Sequence, residues 1–202
     1  MVFKILMNLL VSSILVLRNF LLLIFSPYKT MRKIAQEKDY WQLAVIISFV
    51  LIYFEIANKI RRFNYSTLLI FIVFLSFFIS TVFFFYLLGK VYNKKEELKS
   101  FFITFSYSLL PTLVWFITNS IIYYVLPPPR TMSLQGKGFS ILFFAFSLSL
   151  FVWKIILVYL SVRFSAKLSF YKIIFLMILY LCLFFPISIF LYQLKVFRVP
   201  FI

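Results

Sequence analysis

Histidine is absent from the 202 residues, cysteine occurs once, and aspartate and glutamate together number only five. With no imidazole and a single thiol at Cys182, disulfides, zinc sites and His-based acid–base chemistry lack their residues. The acids are Glu37, Asp39, Glu55, Glu96 and Glu97, and only Glu55 lies inside an apolar run. An intramembrane aspartyl or metal-dependent enzyme would need more carboxylates than that. No catalytic residue, metal ligand or cofactor is expected.

Apolar residues fill the chain instead, at 64% of positions. Five stretches stand out: Tyr40–Ala57, Tyr65–Leu88, Phe101–Leu126, Phe139–Val162 and Ile173–Leu194. A helix needs ~20 residues to cross ~30 Å of hydrocarbon at ~1.5 Å per residue. Water cannot satisfy backbone groups there, so each stretch should be a helix. The short joints leave no room for a separate soluble core. The sequence thus predicts an all-α, polytopic transmembrane bundle forming one membrane domain over residues 1–202. Cys182, inside the fifth span, reads as a buried apolar filler.

In a soluble chain the net charge of +16 would suggest nucleic acid. Here every Lys and Arg except Lys154 lies outside the span interiors, where phospholipid headgroups are the nearer anions. The expected partners are anionic lipids and another membrane protein or a second copy of this chain, not nucleic acid. Basic joints tend to remain cytoplasmic. One side carries thirteen basic residues: Lys4, Arg18, Lys29, Arg32, Lys33, Lys38, Lys90, Lys94, Lys95, Lys99, Arg163, Lys167 and Lys172. The other carries seven, three of them in the compact turn Lys59, Arg61 and Arg62. The N-terminal side is therefore read as cytoplasmic.

Residues 1–25 are mostly apolar, but Lys4, Asn8, Ser12 and Asn19 fall near one face at helical spacing. That favours a helix lying in the interface, with a sixth span as the alternative. Next, Ser26 can cap a helix with Pro27 at its first position, where the missing N–H costs nothing. Tyr28, Met31, Ile34 and Ala35 share one face and Lys29, Arg32, Lys33 and Lys38 the remainder. The segment reads as a basic amphipathic helix on the membrane surface, with Trp41 as headgroup anchor. A plain stop-transfer flank is the alternative. In the second joint, Asn93 and Glu96 have capping-box spacing, so a helix should start near Lys94 and run into the third span. Pro127, Pro128 and Pro129 end that span, and the stretch through Gly138 is the longest polar connection.

Inside the membrane, Lys154 is the leading site candidate, about eight residues or ~12 Å from its span end. Snorkelling or a structural bond competes there with a substrate or ion role. Glu55 lies deeper, ~21 Å from the start of its helix, and has Lys59 one turn later as its easier partner. Thr104, Ser108, Thr112 and Asn119 form a polar stripe on the third span that faces other helices, with Ser76 and Ser80 of the second span positioned to meet it. Pro111 and Pro186 interrupt the ladders of the third and fifth spans and free carbonyls there.

The run Ser-Pro-Tyr-Lys-Thr-Met-Arg-Lys-Ile-Ala at 26–35, followed by acidic and aromatic residues and the first span, resembles the Yip family, named for interaction with Ypt/Rab GTPases. The elbow before a third span bearing Ser108-Leu109-Leu110-Pro111 is similar too, as is a fourth span with Trp153-Lys154 and a basic turn after it. The likeness runs from about Ser26 to Pro186. It implies a five-helix bundle with a cytoplasmic N-terminal side and no catalytic centre. The acidic Asp-Leu-Tyr-Gly-Pro type motif and long N-terminal region of eukaryotic members have no counterpart in these residues. The chain is more similar to prokaryotic members, which implies the cytoplasmic membrane and a role in membrane organisation or partnership with other membrane proteins, including transport assemblies. Three functions are therefore carried forward: a scaffold or accessory subunit, a small transporter or channel using Lys154 and the third-span hydroxyls, and a lipid or curvature sensor.

Overall fold

A computed structural model describes residues 2–37, 39–61, 64–92, 97–125 and 134–196. Eight helices follow one another: α1 Val2–Phe25, α2 Pro27–Gln36, α3 Tyr40–Arg61, α4 Thr67–Tyr92, α5 Leu98–Tyr107, α6 Leu110–Val125, α7 Leu134–Ala166 and α8 Phe170–Gln193. Among the described residues six helical stretches are long and apolar enough to cross a bilayer: Met7–Phe25, Tyr40–Ile60, Thr67–Tyr92, Leu98–Val125, Gly136–Ala166 and Phe170–Gln193. Five of them are the spans read from the sequence, each lengthened or trimmed by a few residues at its ends. The polar connection expected through Gly138 is shorter, because Leu134–Gly138 already belong to α7. Asn93, Lys94, Lys95, Glu96 and the three prolines 127–129 lie outside the described residues.

The third span is the centre of the bundle, with 72% of its apolar stretch buried against 28% or less in the other five. It is also two helices. A proline ring clashes with the carbonyl four residues back and supplies no donor. Pro111 therefore halts α5 at Tyr107, four residues earlier, and sits in the first turn of α6, where a proline is tolerated. Ser108 and Leu109 make the turn, their N–H groups donating to Thr104 and Ser106 carbonyls at 3.1 Å each. Pro186 causes no such break, since α8 runs continuously through it.

Around α5 the packing is aromatic. Phe85 of α4 stacks on Phe105 at 5.2 Å and meets Tyr180 of α8 at 5.1 Å. Farther along, Tyr53 of α3 stacks on Phe116 of α6 at 4.6 Å. Lipid tails are as apolar as these rings, so close packing and interhelical hydrogen bonds, not exclusion from water, hold such a bundle together. At the end of α7, Lys167 takes a left-handed φ of 52°. The chain then turns into α8 within three residues.

α1 runs across one end of the bundle. Ser12 donates to the Asp39 carboxylate at 2.7 Å, one residue ahead of α3. Some 21 Å further along α1 at ~1.5 Å per residue, the chain enters α2, which is held at the last turns of α7. Both points lie at the same end, the "α2 end" below. The apolar residues Leu10, Ile14, Leu17, Leu21 and Phe25 are exposed along it. Ser12 and Asn19, read from the sequence as a polar face, point into the protein and are 2% and 1% exposed.

α2 lies against protein where the sequence suggested lipid. Thr30, Met31 and Ile34 are buried on α5 and α7, Tyr28 packs edge-on to Phe164, and Ala35 accepts a 3.2 Å hydrogen bond from Ser100. Pro27 opens the helix as expected, but Ser26 makes no side-chain cap. Its hydroxyl donates to the Leu22 carbonyl at 3.3 Å instead. Beneath α2, Ser165 bridges Ser100 and Thr104 at 3.1 and 2.9 Å, and Ser161 donates to the Thr104 carbonyl at 3.1 Å. Intramembrane hydrogen bonds average ~0.6 kcal/mol and reach ~1.7. Ser165→Ala should therefore lower the stability of the detergent-solubilised protein by ~0.6–1.7 kcal/mol. A thermal midpoint indistinguishable from that of the parent would show that this hydroxyl cluster contributes nothing.

Candidate functional site

Two polar centres emerge, one at the α2 end and one in the membrane interior. The first is a chain of side chains joining four helices. Asn19 of α1 donates to the Tyr107 hydroxyl at 3.1 Å, and Tyr107 donates to Gln42 of α3 at 2.6 Å. Gln42 then donates to Glu37 at 3.1 Å, which pairs with Lys33 of α2 at 3.9 Å. Tyr107 and Gln42 are buried, so the chain runs from the core to the surface. Sequence reading missed it because Tyr107 sits among aromatics and Gln42 beside the headgroup anchor Trp41. Nothing local marks either as a partner of the other.

On the outside of this network α2 presents a basic face. Lys29, Arg32 and Lys33 are exposed, and Arg163 donates to Tyr159 at 2.8 Å while lying 5.7 Å from the Tyr28 ring centre. Lys38, Lys94 and Lys95, the other predicted docking cations, fall outside the described residues. Lys99 lies 5.0 Å from the Tyr40 ring and Lys172 5.1 Å from the Tyr92 ring, so cations and aromatics alternate around this end.

The second centre surrounds Lys154, near the middle of the 33-residue α7. α7 continues to Ala166, so the Lys154 backbone is ~18 Å from the helix end, deeper than the sequence boundaries implied. It lines two cavities. One, of about 190 Å³, lies between α4, α5, α7 and α8 and includes Ser108, Tyr180, Thr81 and Ser188. The other, of about 370 Å³, lies between α6 and α7 and includes Thr112, Trp115 and Ser147. The break between α5 and α6 thus opens beside Lys154, the lysine near the middle of a span.

The predicted stripe divides between these places. Thr104 joins the Ser165 cluster, Ser108 donates to the Phe105 carbonyl at 2.7 Å and lines the smaller cavity, and Thr112 lines the larger. Asn119 is only half-buried and lines neither cavity. Ser76 and Ser80 do not meet the stripe, because both are exposed on the lipid-facing side of α4. Thr81, one residue on, turns inward to Tyr180 at 3.0 Å. A one-residue step rotates a helical side chain by ~100°, so a small difference in facing exchanges lipid for protein.

Glu55 does not complete a site with Lys154. It is exposed on α3, lines neither cavity, and no ion pair joins it to Lys59 among the described residues. Both side chains are exposed, and holding two long exposed side chains together costs about what such a pair gains. Cys182 is likewise exposed, not buried. A thiol behaves as a small apolar group, so hydrocarbon accommodates it as well as a core does.

An all-helical bundle of multiple apolar spans, with polar side chains tied to one another inside it, defines an integral multi-pass membrane protein. Among the described residues no group of three or more His, Cys, Asp or Glu is placed to hold a metal. Residues 21–192 match the family model of the Yip1 domain, and the chain belongs to that family. The match begins within α1 and ends one residue short of the end of α8. No curated protein and no solved structure matches the chain significantly.

Proposed function

We propose that the protein is a non-enzymatic scaffold or accessory subunit of a membrane assembly, and that it engages its partner through the α2 end. One observation carries this reading: α2 is clamped by its buried Thr30, Met31 and Ile34 while Lys29, Arg32 and Lys33 face outward. A cationic surface held rigid before binding loses little conformational freedom on binding, which favours docking over loose lipid attraction. The α1–α2–α3–α5 network fixes that surface to the core. The charge bias of the joints supports a cytoplasmic position for this end, and Yip membership supports association with other membrane proteins.

Purification in mild detergent tests the proposal. The parent should carry a stoichiometric membrane-protein partner or a second copy. The combined Lys29→Gln, Arg32→Gln, Lys33→Gln variant, with unchanged thermal midpoint, should lose at least about fivefold of it, a difference of ~1 kcal/mol. A parent chain that repeatedly emerges alone and monomeric would sink the scaffold reading.

A further inference from the structure

The amine of Lys154 has no hydrogen-bond or ion-pair partner among the described residues, although it projects from the middle of a membrane helix. It cannot simply extend to the headgroups. Arg163, which marks the surface on the same helix, is nine positions or ~13 Å away, beyond the reach of a four-carbon stem. A second group in the same cavity is also unsatisfied. Thr112 is 9% exposed, and its buried hydroxyl has no partner. A cation and a hydroxyl left open on facing walls of one cavity are complementary to an anionic head that accepts from both.

The remaining walls specify what else the ligand must be. Trp115, Phe116, Leu148 and Phe151 make them almost wholly apolar. Phe144 and Leu148, 70% and 52% exposed, set the mouth of the cavity on the lipid-facing side of α7. Its volume of about 370 Å³ lies within the ~300–1,000 Å³ of small-molecule sites. Among the described residues no carboxylate lines it, and Glu55 is exposed on α3. Water-soluble anions would have to shed their hydration to enter from hydrocarbon.

We infer that the α6–α7 cavity binds an acyl-chain amphiphile with a single anionic head, the head on Lys154 and Thr112 and the chain against Trp115 and Leu148. The head is a carboxylate or a phosphodiester, drawn from a free fatty acid or an anionic phospholipid. This site is separate from the α2 surface, so its failure leaves the scaffold proposal standing and the reverse also holds.

Delipidated full-length protein in phosphatidylcholine nanodiscs is titrated with oleate and, in parallel, with methyl oleate, which keeps the chain and removes the charge. Oleate should bind saturably and methyl oleate at least about tenfold more weakly, the ~1.4 kcal/mol expected of a charge-assisted contact. Lys154→Gln should weaken oleate by a similar factor. Lys154→Arg, which keeps the cation, should remain within about threefold of the parent. Displacement of oleate by phosphatidylglycerol assigns the natural head to a phospholipid, and its absence assigns it to a free carboxylate. Equal binding of oleate and methyl oleate, or oleate affinity unaltered in Lys154→Gln, overturns the inference.

Discussion

Lys154→Met is expected to stabilise the delipidated protein, by ~2.5–3.5 kcal/mol, the penalty that insertion scales assign to a lysine at a membrane centre. In the folded bundle the amine has no partner among the described residues and lines apolar cavities. In the unfolded chain the same side chain is free to reach the micelle surface, so the penalty falls on the native state alone. Methionine is similar in length and flexible enough to fill an irregular cavity without strain. Equilibrium unfolding in detergent measures the difference. An unchanged or lowered stability would show that a protein group already compensates the charge. Adding oleate should then narrow the gap, because a ligand bound only by the native parent stabilises it by mass action.

Tyr107→Phe is expected to have the opposite sign. The hydroxyl accepts from Asn19 and donates to Gln42, so its removal strands a buried amide on each side. An unsatisfied buried polar group costs about 1–3 kcal/mol, and the Oδ1 atom of Asn19 is already without a partner. The variant should lose ~1–3 kcal/mol, and the loss should appear first in α1. Cysteines placed at Ser12 and Asp39, 2.7 Å apart through their side-chain oxygens, report α1 docking by cross-linking. Combining Tyr107→Phe with Gln42→Leu should recover part of the stability, since removing both partners leaves fewer groups unpaired. Fully additive losses would show that Tyr107 and Gln42 do not act as a pair.

These two effects arise from features that differ in how visible they are in the sequence. Lys154 is conspicuous because a charge in an apolar run has no local reason to be there. Its surroundings were only partly foreseeable. Pro111 announced an interruption, and the stripe at Thr104, Ser108 and Thr112 indicated an inward face. Which hydroxyl pairs with which neighbour was not foreseeable, because those partners come from helices tens of residues away. Ser165 and Ser161 meet Thr104 across some sixty positions. Tyr107, Gln42 and Asn19 had no signature at all.

The pattern places Ser76 and Ser80 toward the bundle and Cys182 in the core, whereas all three are exposed. In a soluble helix a polar residue marks the outer face. In a bilayer a short hydroxyl can return its hydrogen bond to its own helix, as Ser149 does to the Ala145 carbonyl at 3.0 Å. It then tolerates lipid and no longer reports direction.

By itself the sequence determined that the chain is an all-helical, multi-pass membrane protein, where its spans run, and that a lone lysine lies inside one of them. Hydrocarbon forces these conclusions, because helix is the way a run of such residues satisfies its own backbone. Only the tertiary structure decided that α1 crosses the α2 end, that α2 is clamped on protein, and that Lys154 opens onto two cavities beside the broken central helix. Those outcomes depend on which faces meet between helices. Where both lipid and protein are apolar, hydrophobic pattern does not encode that choice, and packing with hydrogen bonds makes it.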